Sequence, residues 1–210
     1  MIILGLTGGI GMGKSTASAI FRRARIPVFD ADAEVHRLQS PGGRALPVIA
    51  AAFPGTVIEG TLDRARLRAA VIGDPAALRR LEAILHPMVR AAEARFLAGA
   101  RRRQVPLVVL DIPLLFETGG ADRVDRIVVV SAPPAVQLAR VRKRRRMAPE
   151  QIAAIIARQM PDARKRRLAD HVVRTGLSRH HAQQSIRRLI RSLRQGPPAA
   201  GAAGPRPHSF

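Results

Sequence analysis

The chain has 210 residues, 47% of them hydrophobic, which suits one α/β domain with insertions and a packed core. It has no cysteine, which excludes a disulfide framework, a thiol nucleophile and a thiolate metal site. Its formal charge of +21, almost all of it arginine because Lys14, Lys143 and Lys165 are the only lysines, asks for a polyanionic partner, either nucleotide phosphates or nucleic acid.

The first sixteen residues organise the rest. Met1 to Thr7 is a short apolar run, read as a strand, and Gly8-Gly-Ile-Gly-Met-Gly-Lys-Ser15 follows at once. Gly8, Gly13, Lys14 and Ser15 fit the phosphate-binding pattern of Gly, four residues, Gly-Lys-Ser/Thr. Side chains at the closest approaches would block a phosphate, so glycine is required there. The helix that starts near Gly13 adds the positive end of its dipole. Lys14 supplies a point charge for the β- and γ-phosphates, and the Ser15 hydroxyl can coordinate Mg²⁺. A dinucleotide fingerprint needs a third glycine where Lys14 stands, which disfavours a dehydrogenase.

Residues 14 to 24 form the first predicted helix, with Ala17, Ile20, Phe21 and Ala24 on one face. Pro27 to Asp30 is a second strand ending in acid, and Asp30-Ala-Asp32 stands where it meets a helix near 33 to 39. Ligands of open parallel sheets bind at the carboxyl ends of the strands, so both carboxylates are expected to face the phosphate loop. The next strand, 106 to 111, comes about 75 residues later, far beyond a plain crossover. The interval reads as an inserted helical subdomain, with helices at 46 to 53, at 64 to 72 behind an Asp63 cap, behind Asp74-Pro75, and from Pro87 to about Arg103. A strand at 126 to 131 precedes a helix carrying Gln137, Arg140 and Arg144, and Pro149-Glu150 opens another through Gln159. A last strand covers 171 to 175, and Ser178 caps a final helix with an apolar stripe from Ala182 to Leu193. The Pro/Ala/Gly-rich residues 196 to 210 are expected to be a disordered tail.

The fold expected is a five-stranded parallel sheet flanked by helices, one P-loop kinase domain over 1–195. Its core is placed at 1–31, 104–134 and 161–195, the helical acceptor subdomain at 32–103 and an arginine-rich lid at 135–160. The chain contains no asparagine, hence no Asn-Lys-x-Asp guanine-reading motif, and a motor ATPase would be larger. With no Trp or Tyr, base-stacking platforms are nearly absent, and no specific nucleic-acid partner is expected. The uncharged start does not read as a signal peptide and no apolar run would span a bilayer, so a cytoplasmic protein without membrane contact is expected; the sequence leaves the oligomeric state open, with a monomer as the expectation. A different nucleotide or small-molecule kinase, and a basic nucleic-acid-associated P-loop protein, remain the competing readings.

Over roughly residues 2 to 195 the chain resembles the dephospho-coenzyme A kinase family. The resemblance is carried by Leu6-Thr-Gly-Gly-Ile-Gly-Met-Gly-Lys-Ser-Thr16, Asp30-Ala-Asp32, Gly60-Thr-Leu-Asp-Arg64 and Leu81-Glu-Ala-Ile-Leu-His-Pro87. It continues through Asp111-Ile-Pro-Leu-Leu-Phe-Glu117, Gln137-Leu-Ala-Arg140 with Arg144, Gln159 and Ala169-Asp170. The stretch Arg174-Thr175-Gly176 departs from it, since the family often has an asparagine there. The resemblance implies transfer of the γ-phosphoryl group of ATP to the ribose 3′-hydroxyl of dephospho-CoA, with Mg²⁺. Gly11, Met12, Gly13, Lys14, Ser15 and Thr16 would then hold the ATP phosphates, and Ser15 the metal. Asp32 would orient or deprotonate the acceptor hydroxyl, with Asp30 assisting or binding Mg²⁺ through water. Arg140 and Arg144, four apart on one helix face, would be the lid arginines. Pro113, Leu114 and Leu115 would shape the acceptor pocket, and Arg64 would meet the acceptor's phosphates. His86 is open between an acceptor contact and a structural role, Asp111 at its strand end could act as a second magnesium-supporting carboxylate, with the choice between it and Asp30 open, and Glu117 has no assigned role.

Overall fold

The computed structural model describes residues 1–145, 152, 156–157 and 159–195, with the backbone alone at 144 and 145. The expected tail, the side chain of Arg144 and most of the helix expected from Pro149 lie outside the described residues.

Five strands make one sheet: β1 (Ile2–Thr7), β2 (Val28–Asp30), β5 (Leu107–Asp111), β6 (Arg126–Ser131) and β7 (His171–Arg174). Their spatial order is β2-β5-β1-β6-β7 and every pairing is parallel, as expected. Parallel strands covered on both faces need continuous apolar runs, and β5 and β6 supply them in Leu-Val-Val-Leu and Ile-Val-Val-Val. β1 takes the centre, so the glycine loop emerges in the middle of the carboxyl edge.

One sheet face packs on α1 (Lys14–Arg23) and the C-terminal helix, here α8 (Arg179–Arg194), through Leu4, Leu6, Phe21, Val128, Ile186 and Leu189. Ser178 caps α8, its hydroxyl accepting the His181 N–H at 3.0 Å. The opposite face packs on α5 (Pro75–Arg102) through Phe29, Leu97, Ala100, Leu110 and Val129. A third cluster, Leu38, Ile49, Phe53, Leu62, Leu67, Ala77 and Leu85, lies within the insertion. It unites α2 (Ala31–Leu38), α3 (Leu46–Ala52), the hairpin β3 (Val57–Ile58) and β4 (Thr61–Leu62), α4 (Arg64–Val71) and the first half of α5. Among the described residues no helix is long and apolar enough to cross a membrane.

Two details differ from the sequence reading. The helices expected behind Asp74-Pro75 and from Pro87 are one continuous helix, α5, with Pro87 inside it. Asp74 caps its start as expected, its carboxylate accepting the N–H groups of Ala76 at 2.8 Å and Ala77 at 3.0 Å. Apolar burial against two clusters outweighs the hydrogen bond that Pro87 cannot donate, which otherwise costs about 3 kcal/mol. The helix runs about 42 Å at 1.5 Å per residue, joining the insertion to the sheet. The β3–β4 hairpin, with Glu59 and Gly60 at positive φ in its turn, was also missed.

Candidate active site

Gly13 is the N-cap of α1 in the left-handed conformation, φ 93°, with no side chain capping the helix. The first amides of α1 therefore face the loop as donors for an anion. The loop folds on itself through the Met12 N–H to Gly9 O bond at 3.1 Å. Thr175, buried at the end of β7, donates its hydroxyl to Met12 O at 2.5 Å and so ties the last strand to the loop. A Cβ on Gly13 would fall 2.9 Å from that hydroxyl, which is why the residue beside Lys14 has no side chain.

Strand register brings the acids level. Asp30 of β2 pairs with Asp111 of β5, and Leu6 of β1 pairs with Asp111 on its other side. Lys14 Nζ lies 2.6 Å from Asp111 Oδ1, with the Asp111 side chain 2% exposed. Burial pushes the Asp111 carboxyl above its ordinary value, against the pull of the Lys14 ammonium. Asp30 is committed to structure: its Oδ1 accepts the Ala33 N–H at 3.0 Å as the N-cap of α2, and its Oδ2 meets Arg22 at 3.3 Å. Asp32, in the first turn of α2, is exposed.

A cleft of about 970 Å³ opens over these strand ends. Of the expected site residues its walls include Gly11, Gly13, Lys14, Ser15, Thr16, Asp32, Pro113 and Arg140. Arg140 stands on α6 (Pro134–Arg145) and spans the loop and β7. It donates to Thr175 O at 2.6 Å, to Thr175 Oγ1 at 3.1 Å and to Gly11 O at 3.4 Å. Val141, Lys143, Gln159, Ser178, Arg179 and Ala182 complete walls that the sequence reading did not assign.

Other expected residues lie off the cleft. The Met12 side chain is buried, and its sulfur accepts the Ala132 N–H at 3.1 Å. Leu115 is 0% exposed, and a Cβ on Gly5 would be 2.9 Å from it, so this leucine packs across β1 rather than lining an acceptor pocket. Leu114 is 40% exposed. His86 is exposed on α5, and the Arg64 guanidinium meets His36 Nδ1 at 2.8 Å. His36 follows Asp32 by four residues, one helical turn along the same face of α2.

Glu117 anchors the last residue of the expected lid and the helix that follows it. Its Oε1 accepts the Met160 N–H at 2.9 Å and lies 2.8 Å from Lys165 Nζ, and Lys165 is 1% exposed. Lys165 belongs to α7 (Asp162–Leu168). Burial alone would raise the Glu117 carboxyl, but the Lys165 ammonium and the Met160 N–H outweigh it and hold the group below its ordinary value. A basic run such as Arg164-Lys-Arg-Arg167 gives no sign in sequence that its single lysine turns inward.

A nucleotide-phosphate loop on a central parallel strand, with a carboxylate across the same cleft and a helical insertion beside it, defines a P-loop kinase acting on a small molecule. The dephospho-CoA kinase family model matches residues 2–180, and the chain belongs to that family. A dephospho-CoA kinase of Mesorhizobium japonicum is 55% identical over 194 residues, 92% of this chain and 98% of the relative. A crystal structure of a Thermus thermophilus protein is 36% identical, with a TM-score of 0.81, over 91% of this chain and 96% of that one. The dephospho-CoA kinase of Campylobacter jejuni shares the fold at a TM-score of 0.70 and 23% identity, over 92% of this chain and 98% of that one.

Proposed function

We propose that the chain binds ATP with its phosphates on the glycine loop and transfers the γ-phosphoryl group to the ribose 3′-hydroxyl of dephospho-CoA, giving coenzyme A and ADP. The observation that carries this reading is that Lys14, Ser15 and Asp32 line one cleft, so donor and acceptor machinery face each other. Gly11, Gly13, Lys14, Ser15 and Thr16 hold the phosphates through loop and helix amides, the Met12 backbone closes the turn, and Lys14 turns from Asp111 toward the γ-phosphate.

Asp32 takes the proton of the 3′-hydroxyl as its oxygen bonds to the γ-phosphorus and the bond to the β–γ bridging oxygen breaks. Asp30, already a cap, positions the start of α2 and with it Asp32. Arg140 supplies positive charge at the donor, joined by Arg144. Ser15, exposed beside Lys14, offers one hard oxygen, which suits Mg²⁺ because that ion takes few protein ligands and completes its shell with water and phosphate oxygens. When bound, the ion neutralises charge on the β- and γ-phosphates.

The insertion at 32–103 serves as the acceptor subdomain, with Arg64 drawing the acceptor's anionic groups toward the Asp32–His36 face of α2. The segment 135–160 serves as the lid. The same reading takes a monomer as the working unit. A coupled ADP-release assay with a panel of acceptors tests the reading. Dephospho-CoA should support turnover and nucleoside monophosphates should not; the reverse pattern refutes it.

A further inference from the structure

Two glutamine amides hold the phosphate loop at a residue outside its phosphate-binding set. The Ile10 N–H donates to Gln159 Oε1 at 3.0 Å, and Ile10 O accepts from Gln137 Nε2 at 2.9 Å. The backbone partners, a donor in one case and an acceptor in the other, fix which way each amide faces. Gln137 comes from the first turn of α6 and is 8% exposed, whereas Gln159 stands just ahead of α7. Both amides close over Gly9, where a Cβ would lie 3.2 Å from Gln159 Oε1 and 3.5 Å from Gln137 Nε2.

The consequence follows from peptide geometry. In a trans peptide the C=O and the next N–H point in opposite directions. Holding Ile10 O on Gln137 therefore sends the Gly11 N–H away from that glutamine. Holding the Ile10 N–H on Gln159 likewise fixes Gly9 O, which accepts from Met12 N at 3.1 Å. Gln159 is itself pinned through its neighbour, because Glu117 Oε1 takes the Met160 N–H and pairs with the buried Lys165.

We propose that Gln137 and Gln159 are positioning residues for the phosphoryl donor, clamping Ile10 by its N–H and its C=O so that the Gly11 N–H faces the β-phosphate of ATP. The Glu117–Lys165 pair keeps Gln159 within reach. The clamp rests on the reading that ATP binds on this loop. It joins the start of α6 and the residues just ahead of α7 to the loop.

Methionine keeps the length and bulk of glutamine and removes its amide, so Gln137→Met and Gln159→Met are the variants of choice. Calorimetric titration with ADP and with AMP, alongside steady-state kinetics, reads the effect. ADP affinity should fall about tenfold, the loss from misdirecting one hydrogen bond to a charged group. AMP affinity and the KM for dephospho-CoA should stay as in the wild type, and the KM for ATP should rise with the ADP dissociation constant. The double variant should bind ADP no more than about twofold worse than the weaker single, because either release frees the same residue. Variants that bind ADP as the wild type does, or that lose ADP and AMP alike, overturn the clamp. A wild type that does not bind ADP overturns the donor site and the clamp together. Thermal melting reports folding, and if Gln159→Met fails to fold, Gln137→Met decides alone.

Discussion

Gly11 and Gly42 share a φ of 73°, yet their surroundings differ completely. A Cβ on Gly42 meets nothing within 4 Å, whereas one on Gly11 would lie 2.6 Å from Val141 Cγ2 and 2.9 Å from the backbone oxygen of Gln137. Gly42→Ala therefore costs only left-handed strain, about 1–2 kcal/mol. Gly11→Ala adds overpacking, for a total of about 2–5 kcal/mol. At about 2–4 °C per kcal/mol for a chain of this size, the melting temperature should fall by about 2–8 °C in Gly42→Ala and about 4–20 °C in Gly11→Ala. Both clashing atoms belong to α6, so relief of the clash moves that helix off the loop and carries Arg140 away from Thr175 O and Gly11 O. The KM for ATP should consequently rise in Gly11→Ala and stay unchanged in Gly42→Ala. Circular-dichroism melting and ATP titration of both variants measure this. If the two variants melt together with wild-type KM for ATP, the packing of α6 on the loop is not what the glycine serves.

Lys14→Met should lower kcat/KM for ATP at least about a hundredfold, the scale of losing a preorganised charge at the transferring group. It also leaves Asp111 buried without its cation. Because burial holds the Asp111 carboxyl above its ordinary value, the folded state binds that proton more tightly than the unfolded chain does. Its contribution is present at low pH and is lost as pH rises through the folded value, so Lys14→Met should melt closer to the wild type at pH 5 than at pH 8. Glu117 titrates in the opposite sense. Its folded value is depressed below 4.5, so its stabilisation is present above that pH and is lost as pH falls. Glu117→Gln should flatten the acid limb of a melting-temperature profile below pH 4.5, and at pH 7 it should cost about 3–5 kcal/mol by leaving Lys165 charged and unpaired. An acid limb unchanged by the substitution would remove the ion pair from the account.

The donor half of the site was legible because its chemistry is local. A strand, a glycine loop and a helix adjoin in sequence from Ile2 to Arg23, and the residues that would bind phosphate are those that shape the turn. The carboxylates at Asp30 and Asp111 could be placed at strand ends from hydrophobic runs alone, but not their partners. Which acid meets Lys14 depends on β5 lying beside β1, a long-range order that no local pattern encodes. Pro87 misled for a related reason, since proline is a local helix breaker and the burial that overrides it comes from two distant clusters. The resemblance puts Leu115 in the acceptor pocket with Pro113 and Leu114, but Gly5 of β1 leaves room for its side chain in the core. Thr175, where the resemblance failed, proved to be the residue that ties β7 to the loop and to Arg140.

The central claim is that Asp32 and the phosphate loop work across one cleft. Asp32 is exposed in the first turn of α2, so Asp32→Asn should leave the melting temperature and ADP affinity unchanged. Loss of its base should lower kcat for dephospho-CoA-dependent ADP release by about 10²–10⁴-fold. Near-normal turnover by this variant would contradict the account.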